Sequence, residues 1–405
     1  VSGQIELGPF PGLEGHDAAL QLDLEDPLAG HRELFAFPDP DLIYLDGNSL
    51  GRQPLAAQQI ITDVVSRQWG DRLIRSWNEG WWDLQLELGD LVAPIIGASS
   101  GEVIISDSTS VNLFKLAWAA VRASPGRHTI VTDDLNFPSD IYVLDGVARM
   151  TGARLVVVES DGINGPVDRI AGALDGGTLL SLSHTTFKSG YTYDLAEVTS
   201  MAQAAGALVL WDTSHSVGAV PIGLGAADAD LAVGCTYKYL NGGPGSPAFL
   251  YVRRDLQTAL ENPITAWWSH ADPFAFETGF RPVQGIRRFH SGTMPILSTA
   301  AVEAGARLVL DAGVDRIRSK SMALTRYLIS LWETHLEPLG FDLASPRDPH
   351  HLGSHVSLAH RDGWPIARAM IDLAAVLPDF RAPDSIRLGL SPLYTRFVDV
   401  HTAVM

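Results

Sequence analysis

"DLAVGCTYKYLNGGPGSPAFLYV" (residues 230–252) holds two apolar runs on either side of a glycine-proline loop, with Lys238 set between two tyrosines just past the first run. A short continuous apolar run bounded by turn residues reads as a strand buried on both faces. A lysine delivered by the end of such a strand is costly to desolvate unless it is neutralised, paired or used covalently. The fold and the chemistry therefore hinge on what else reaches the ends of neighbouring strands.

Working outward, apolar β-branched runs alternate with helical patterns from about residue 100 to 250. "EVIISD" (102–107), "HTIVTDD" (128–134), "ARLVVVE" (153–159), "TLLSLSH" (178–184), "ALVLWDT" (207–213), "ADLAVGCT" (229–236) and "SPAFLYV" (246–252) read as strands, most of them buried on both faces. "SVNLFKLAWAAVRA", "SDIYVLDGVARMTG", "VDRIAGAL" and "LAEVTSMAQAAG" between them carry the spacing of helices packed on a sheet. That alternation predicts an α/β fold with a mostly parallel, helix-covered sheet. After about residue 292 a long helical stretch leads into a smaller α+β region with candidate strands at "HVSLAH" and "SIRLGL". Residues 50–292 are expected to form the large domain, and residues 1–49 with 293–405 the small one.

Composition sets the outer limits. The 405 residues are 46% hydrophobic and 19% charged, enough for a large core. A net charge of −18 opposes a nucleic-acid or anionic-membrane partner, so any anionic ligand needs local donors. The single cysteine, Cys235, excludes a disulfide framework and a CxxC metal site, and suits a reducing cytoplasm. The start of the chain, "VSGQIELGPFPGLEGHDAAL", lacks the basic and apolar regions of a signal peptide, and no apolar stretch reaches the ~18 residues of a membrane span.

In open parallel sheets, ligands sit beyond the carboxyl ends of the strands. "EVIIS" is followed by Ser108, Thr109 and Ser110 at a predicted helix start, where free amides and the helix dipole favour a phosphate. "HTIVTDD" is followed by Phe137 and Asp140, expected to be exposed at a strand end; "ALVLW" by Asp212 and His215; "ADLAVGCT" by Tyr237 and Lys238. Singly, each has an ordinary reading: helix cap, turn aspartate, structural histidine, packing tyrosine, snorkelling lysine. Together they supply a phosphate cradle, an aromatic face, a carboxylate and an amine at one sheet edge. Pyridoxal 5′-phosphate (PLP) requires that set.

These residues carry a family resemblance that spans nearly the whole chain. "YLDGNSLGRQP" (44–54), "LIRSWNEGWW" (73–82), "DSTSVNLFK" (107–115), "NFPSD" (136–140), "WDTSHSVGAVP" (211–221), "TYKYLNGGPGSPAFL" (236–250), "FHSGTMPIL" (289–297) and "DFRAPDSIRLGLSPLYTRFVDV" (379–400) resemble kynureninase, within the fold-type I, aminotransferase-like PLP enzymes. The 26 residues between Asp212 and Lys238 suit that family's pyridine-binding aspartate and Schiff-base lysine. The resemblance implies hydrolytic Cβ–Cγ cleavage of L-kynurenine or its 3-hydroxy form to an anthranilate and L-alanine.

It also implies roles. Lys238 would anchor the cofactor and shuttle protons, Asp212 would pair with its ring nitrogen, and His215 would lie near its phenolic oxygen. Phe137 would stack on the ring with Asp140 in support, while Ser108, Thr109 and Tyr237 would hold the phosphate. Tyr237 is also a candidate general acid. Trp267 and Thr293 would reach the phosphate of a neighbouring subunit, which implies a homodimer with a shared site. Arg387 would bind the substrate α-carboxylate through a bidentate fork. Three alternatives stay open: an aminotransferase, a cysteine desulfurase or selenocysteine lyase, and a non-catalytic PLP-binding homologue. Against the desulfurase, Cys235 stands only three residues before Lys238, at a predicted strand end.

Overall fold

The computed structural model describes residues 15–124 and 126–405. Most of the segment read for a signal peptide, residues 1–14, lies outside them. The described chain opens with α1 (His16–Glu25), β1 (Ile43–Tyr44), α2 (Leu55–Asp63) and α3 (Leu84–Val92). The expected strands follow: β2 (Val103–Ile105), β3 (Thr129–Asp133), β4 (Arg154–Val158), β5 (Thr178–Ser183), β6 (Leu208–Asp212), β7 (Leu231–Gly234) and β8 (Phe249–Val252). They form one sheet in the order β2-β8-β7-β6-β5-β3-β4. Only β8 runs against its neighbours, because the "NGGPGSP" loop returns the chain directly beside β7 without a crossover helix.

The continuous apolar runs are explained by helices on both faces. Ile130, Leu179, Leu210 and Leu231 point to one face, against Leu116 of α4 (Thr109–Arg122) and Val147 of α5 (Pro138–Thr151). Val131, Leu180, Val209 and Ala232, each adjacent in sequence to one of those residues, point to the other face. There they join a core with Ile170 of α6 (Val167–Ala173), Val198 of α7 (Leu195–Ala204) and Val302 of α8 (Ile296–Ala312). Each such side chain taken fully from water contributes about 1.5–3 kcal/mol before chain entropy is counted. The edge strand β4 is the exception, with only Val158 buried.

The long helical stretch after residue 292 divides at Gly313, whose φ of 79° ends α8 before α9 (Val314–Leu331) begins. β9 (Asp342–Leu343), β10 (His355–Ala359), α10 (Gly363–Ala374), β11 (Val376–Leu377), β12 (Asp379–Arg381), β13 (Ser385–Gly389) and α11 (Phe397–Val404) complete the chain. Strands β12-β13-β10-β9 form an antiparallel sheet. The N-terminal segment is tied to this region. β1 pairs with β11, Asp46 bridges to Gly389, and the Asp23 carboxylate accepts from the Phe397 and Val398 amides at 2.7 and 3.1 Å. Asn48 packs so closely here that a Cβ on Gly389 would fall 1.9 Å from the end of its side-chain amide, so the position requires glycine. Among the described residues no helix is long and apolar enough to cross a membrane.

Candidate active site

At the carboxyl ends of β3, β6 and β7 the sheet opens on a cavity of about 230 Å³. Thr109, Phe137, Asp140, Asp212, His215, Tyr237, Lys238 and Arg387 all line it. Asp212 is the last residue of β6. Its Oδ1 accepts from the Ser214 amide at 2.9 Å and the Ser214 hydroxyl at 2.6 Å, which fixes the carboxylate at the strand end. The Ser214 hydroxyl in turn accepts from the Cys235 amide at 3.0 Å and so ties the ends of β6 and β7 together.

Lys238 lies four residues past β7 and is partly buried, not enclosed as a strand-end lysine would be. Its Nζ stands 2.9 Å from His215 Nε2 and 5.9 Å from the centroid of the Phe137 ring. Burial first, then Lys238, His355, Arg387 and Arg381, hold the His215 pKa well below its ordinary value. The neutral ring therefore accepts from the lysine through Nε2, and its buried Nδ1 has no partner. Tyr237 has its pKa raised by Cys235, by burial and by Asp212 and Asp140, so its hydroxyl stays protonated.

The sequence led us to expect Asp140 exposed; it is 2% exposed instead. Pro138 opens α5 immediately after Phe137, and the first helical turn carries Asp140 inward. Burial, and then the charge of Asp212, push its pKa well above the carboxylate range, and its Oδ2 has no hydrogen-bond partner. Phe137, 40% exposed, presents its ring to the cavity. Its amide donates to Asn136 Oδ1 at 2.9 Å, and the Ser183 hydroxyl donates to the same oxygen at 2.6 Å. The phenylalanine is thereby linked to β5, where Ser183 is in register with Asp212.

Ser108 caps α4, its hydroxyl accepting from the Val111 amide at 3.4 Å, and does not itself line the cavity. Thr109 and Ser110 do, and the Ser110 hydroxyl is 3.0 Å from that of Ser139. Trp267 and Thr293 are not brought to the cavity of their own chain. Trp267 is 40% exposed in a cluster with Trp82, Trp268 and Phe274, and Thr293 is exposed.

Arg387 is buried on β13 at the opposite wall. With its amide oxygen turned to the guanidinium, Asn48 accepts from Nε at 2.8 Å and Nη2 at 3.2 Å. Nη2 also donates to Ser49 Oγ at 3.1 Å and to Asp379, and Nη1 donates to the Phe187 carbonyl. Asn48, Ser49, Ser139, Ser214 and Arg381 complete the lining and were not singled out from the sequence. "DFRAPDSIR" held a usable signal. Read as a hairpin, it sets Asp379 directly opposite Arg387, as β12 and β13 do.

These residues fit PLP: an amine and a carboxylate at adjacent strand ends, an aromatic face between them, the amide-rich start of a 14-residue helix, and buried polar atoms left without partners. The family description "Kynureninase C-terminal domain" matches residues 317–405, and "Aminotransferase class-V" matches residues 86–360. The chain is 45% identical to a kynureninase of Burkholderia pseudomallei (strain 1106a), over 97% of this chain and 94% of that protein. It is 43% identical to a kynureninase of Pseudomonas fluorescens, over 95% and 92%. Solved structures share the fold at lower identity. An apo cysteine desulfurase from Thermococcus onnurineus NA1 superposes with a TM-score of 0.80 at 19% identity, over 93% of this chain and 96% of that one. A C-DES variant with glycine covalently linked to its PLP cofactor gives a TM-score of 0.80 at 18% identity, over 92% and 97%.

Proposed function

The chain belongs to the kynureninase family, and from that premise we propose that it cleaves the Cβ–Cγ bond of L-kynurenine, its 3-hydroxy form or both, by hydrolysis. The products are the corresponding anthranilate and L-alanine. The observation that carries the reading is the convergence of Lys238, Asp212, His215, Phe137 and Arg387 on one cavity, in a chain 45% identical to a kynureninase over almost its full length.

PLP, when bound, supplies an electron sink for bonds at Cα and Cβ of an amino-acid substrate. Lys238 would hold the cofactor through its amine, and that amine would move the proton at Cα of the substrate. Neutral His215, 2.9 Å away, accepts a hydrogen bond from that amine and favours its transfer role. Asp212, fixed by Ser214, would keep the ring nitrogen protonated, with Asp140 beside it as a neutral acid. Phe137 would stack on the ring, and the α4 amides with Thr109 would hold the phosphate, with Ser108 capping the helix behind them. Tyr237 keeps its proton and would serve as general acid at Cβ. Arg387 orients the α-carboxylate.

On the same reading, residues 50–292 form the cofactor-binding body and residues 1–49 with 293–405 the smaller one. The working unit is a cytoplasmic homodimer in which Trp267 and Thr293 serve the partner's phosphate, in keeping with their position away from their own cavity. A desulfurase role is disfavoured because Cys235 is buried, with its thiol pKa raised by that burial.

The test is direct. The PLP-loaded protein given L-kynurenine should release anthranilate and alanine in equal amounts, and in heavy water the alanine should carry deuterium at Cβ as well as Cα. Alanine from cysteine, or an oxo-acid-dependent reaction, with none from kynurenine or 3-hydroxykynurenine, would overturn the reading.

A further inference from the structure

The guanidinium of Arg387 is nearly spent before any substrate arrives. Of its five N–H donors, the one on Nε serves Asn48, the pair on Nη2 is shared by Asn48, Ser49 and Asp379, and one on Nη1 serves Phe187. Its charge is spent as well. Asp379 is in contact with it, and Asp46 lies close enough to feel it. One buried cation against two carboxylates would repel a third carboxylate. The cavity nevertheless has a second cation. Arg381 lines it from β12, two residues along the strand from Asp379 and on the same face. Its side chain is 42% exposed, so the charge reaches both the cavity and its mouth. Its Nε lies 3.1 Å from Asp379 Oδ2, yet that buried nitrogen has no acceptor in hydrogen-bonding alignment.

We infer that Arg381 is a second substrate-binding arginine, which receives the α-carboxylate together with the remaining donor of Arg387 while Asp379 stays as the counter-ion that aligns both. The inference rests on the reading that the α-carboxylate binds at Arg387. Arg381 restores the charge balance that Asp46 and Asp379 remove, and Arg387 fixes the position. Selectivity for α-amino acids over simple amines then comes from a pair of arginines.

The test compares Arg381→Gln, Arg381→Lys and Arg387→Gln in the PLP-loaded full chain, with thermal melts to confirm folding. Steady-state kinetics with L-kynurenine are read beside the inhibition constant of its decarboxylated amine. Arg381→Gln should raise KM about tenfold or more, with kcat changed by less than about threefold. Arg381→Lys should recover part of the loss. The decarboxylated amine should bind all three proteins alike, since it has no carboxylate to lose. If Arg387→Gln raises KM and Arg381→Gln does not, the inference fails while the Arg387 reading stands. If neither raises KM, both fail. A parallel loss of amine binding in Arg381→Gln would mean that Arg381 supports the cavity's shape and does not hold the carboxylate.

Discussion

Lys238 Nζ lies 2.9 Å from Nε2 of His215, and that histidine is kept neutral. The pairing has a direction. The imidazole accepts and the lysine donates, so the amine is held toward His215 in the cavity that Asp212 also lines. Asp212 stands at the neighbouring strand end with its carboxylate already committed to Ser214 on one oxygen. The amine and the carboxylate therefore stay separate functional groups at one sheet edge.

Lys238→Ala should fold, because the side chain is partly buried and makes one side-chain hydrogen bond that the structure records, to His215. Turnover should be nearly abolished while PLP still binds non-covalently. Borohydride reduction of the wild-type holoenzyme followed by peptide mapping should place the pyridoxyl group on Lys238. A label on Lys115, Lys188 or Lys320 would refute the assignment.

Asp140 and Asp212 should respond differently to the same change. Asp140 is pushed toward its neutral form by burial and by Asp212, so Asp140→Asn substitutes one neutral hydrogen-bonding group for another. Its kcat should fall by less than about tenfold, whereas Asp212→Asn, which removes the charge proposed to face the ring nitrogen, should cost about a hundredfold or more. The raised pKa of Asp140 also fixes a sign. Its contribution to stability is present at low pH and is lost as pH rises above the ordinary carboxylate range. The apo form of Asp140→Asn should therefore gain on apo wild type between pH 5 and pH 8. A difference that stays flat from pH 5 to pH 8 would mean Asp140 is ionised in the fold.

The large sheet was legible because both its faces are covered, so strand after strand shows an unbroken apolar run. Asp212 and Lys238 were legible for a related reason, since Asp212 closes one such run and Lys238 follows another by four residues. What stayed hidden depends on packing between distant segments. Asn48 and Ser49 reach the cavity only because Asp46 bridges to Gly389. Arg381 belongs to the site only once the β12–β13 register is known. The burial of Asp140 depends on how tightly Pro138 starts its helix. The reversed direction of β8 was written in the loop "NGGPGSP", too short for a parallel crossover.

His290 gives a second pH test, away from the cavity. It is stacked on Trp268 with ring centroids 5.4 Å apart, neither ring nitrogen has a partner, and burial, then Lys115 and Arg287, lower its pKa to about 3. A neutral buried histidine stabilises the fold above its unfolded pKa of about 6.5, and that stability is lost as pH falls toward the folded value. His290→Phe keeps a ring against Trp268 and removes the proton site. From pH 8 to pH 5 the unfolding free energy of the variant should improve relative to wild type by about 2 kcal/mol. Denaturant melts at both pH values measure it, and an unchanged difference would show that the wild-type ring already binds its proton.

Trp267 and Thr293 allow the shared site to be tested by complementation. If they serve the partner's phosphate, a Lys238→Ala chain is inactive but can still lend both residues, and a chain carrying Trp267→Ala with Thr293→Val keeps its own lysine but cannot lend them. A mixed dimer of the two then has one site with every group intact and one with every defect. Co-expression with separate tags, followed by purification of the mixed dimer, should recover about half the wild-type activity per dimer from two nearly inactive parents. If the residues act within their own chain, each site of the mixed dimer has one defect and no activity returns. Light scattering on the same samples must report two chains per particle, since a monomer that retains full activity would remove the premise on which the complementation stands.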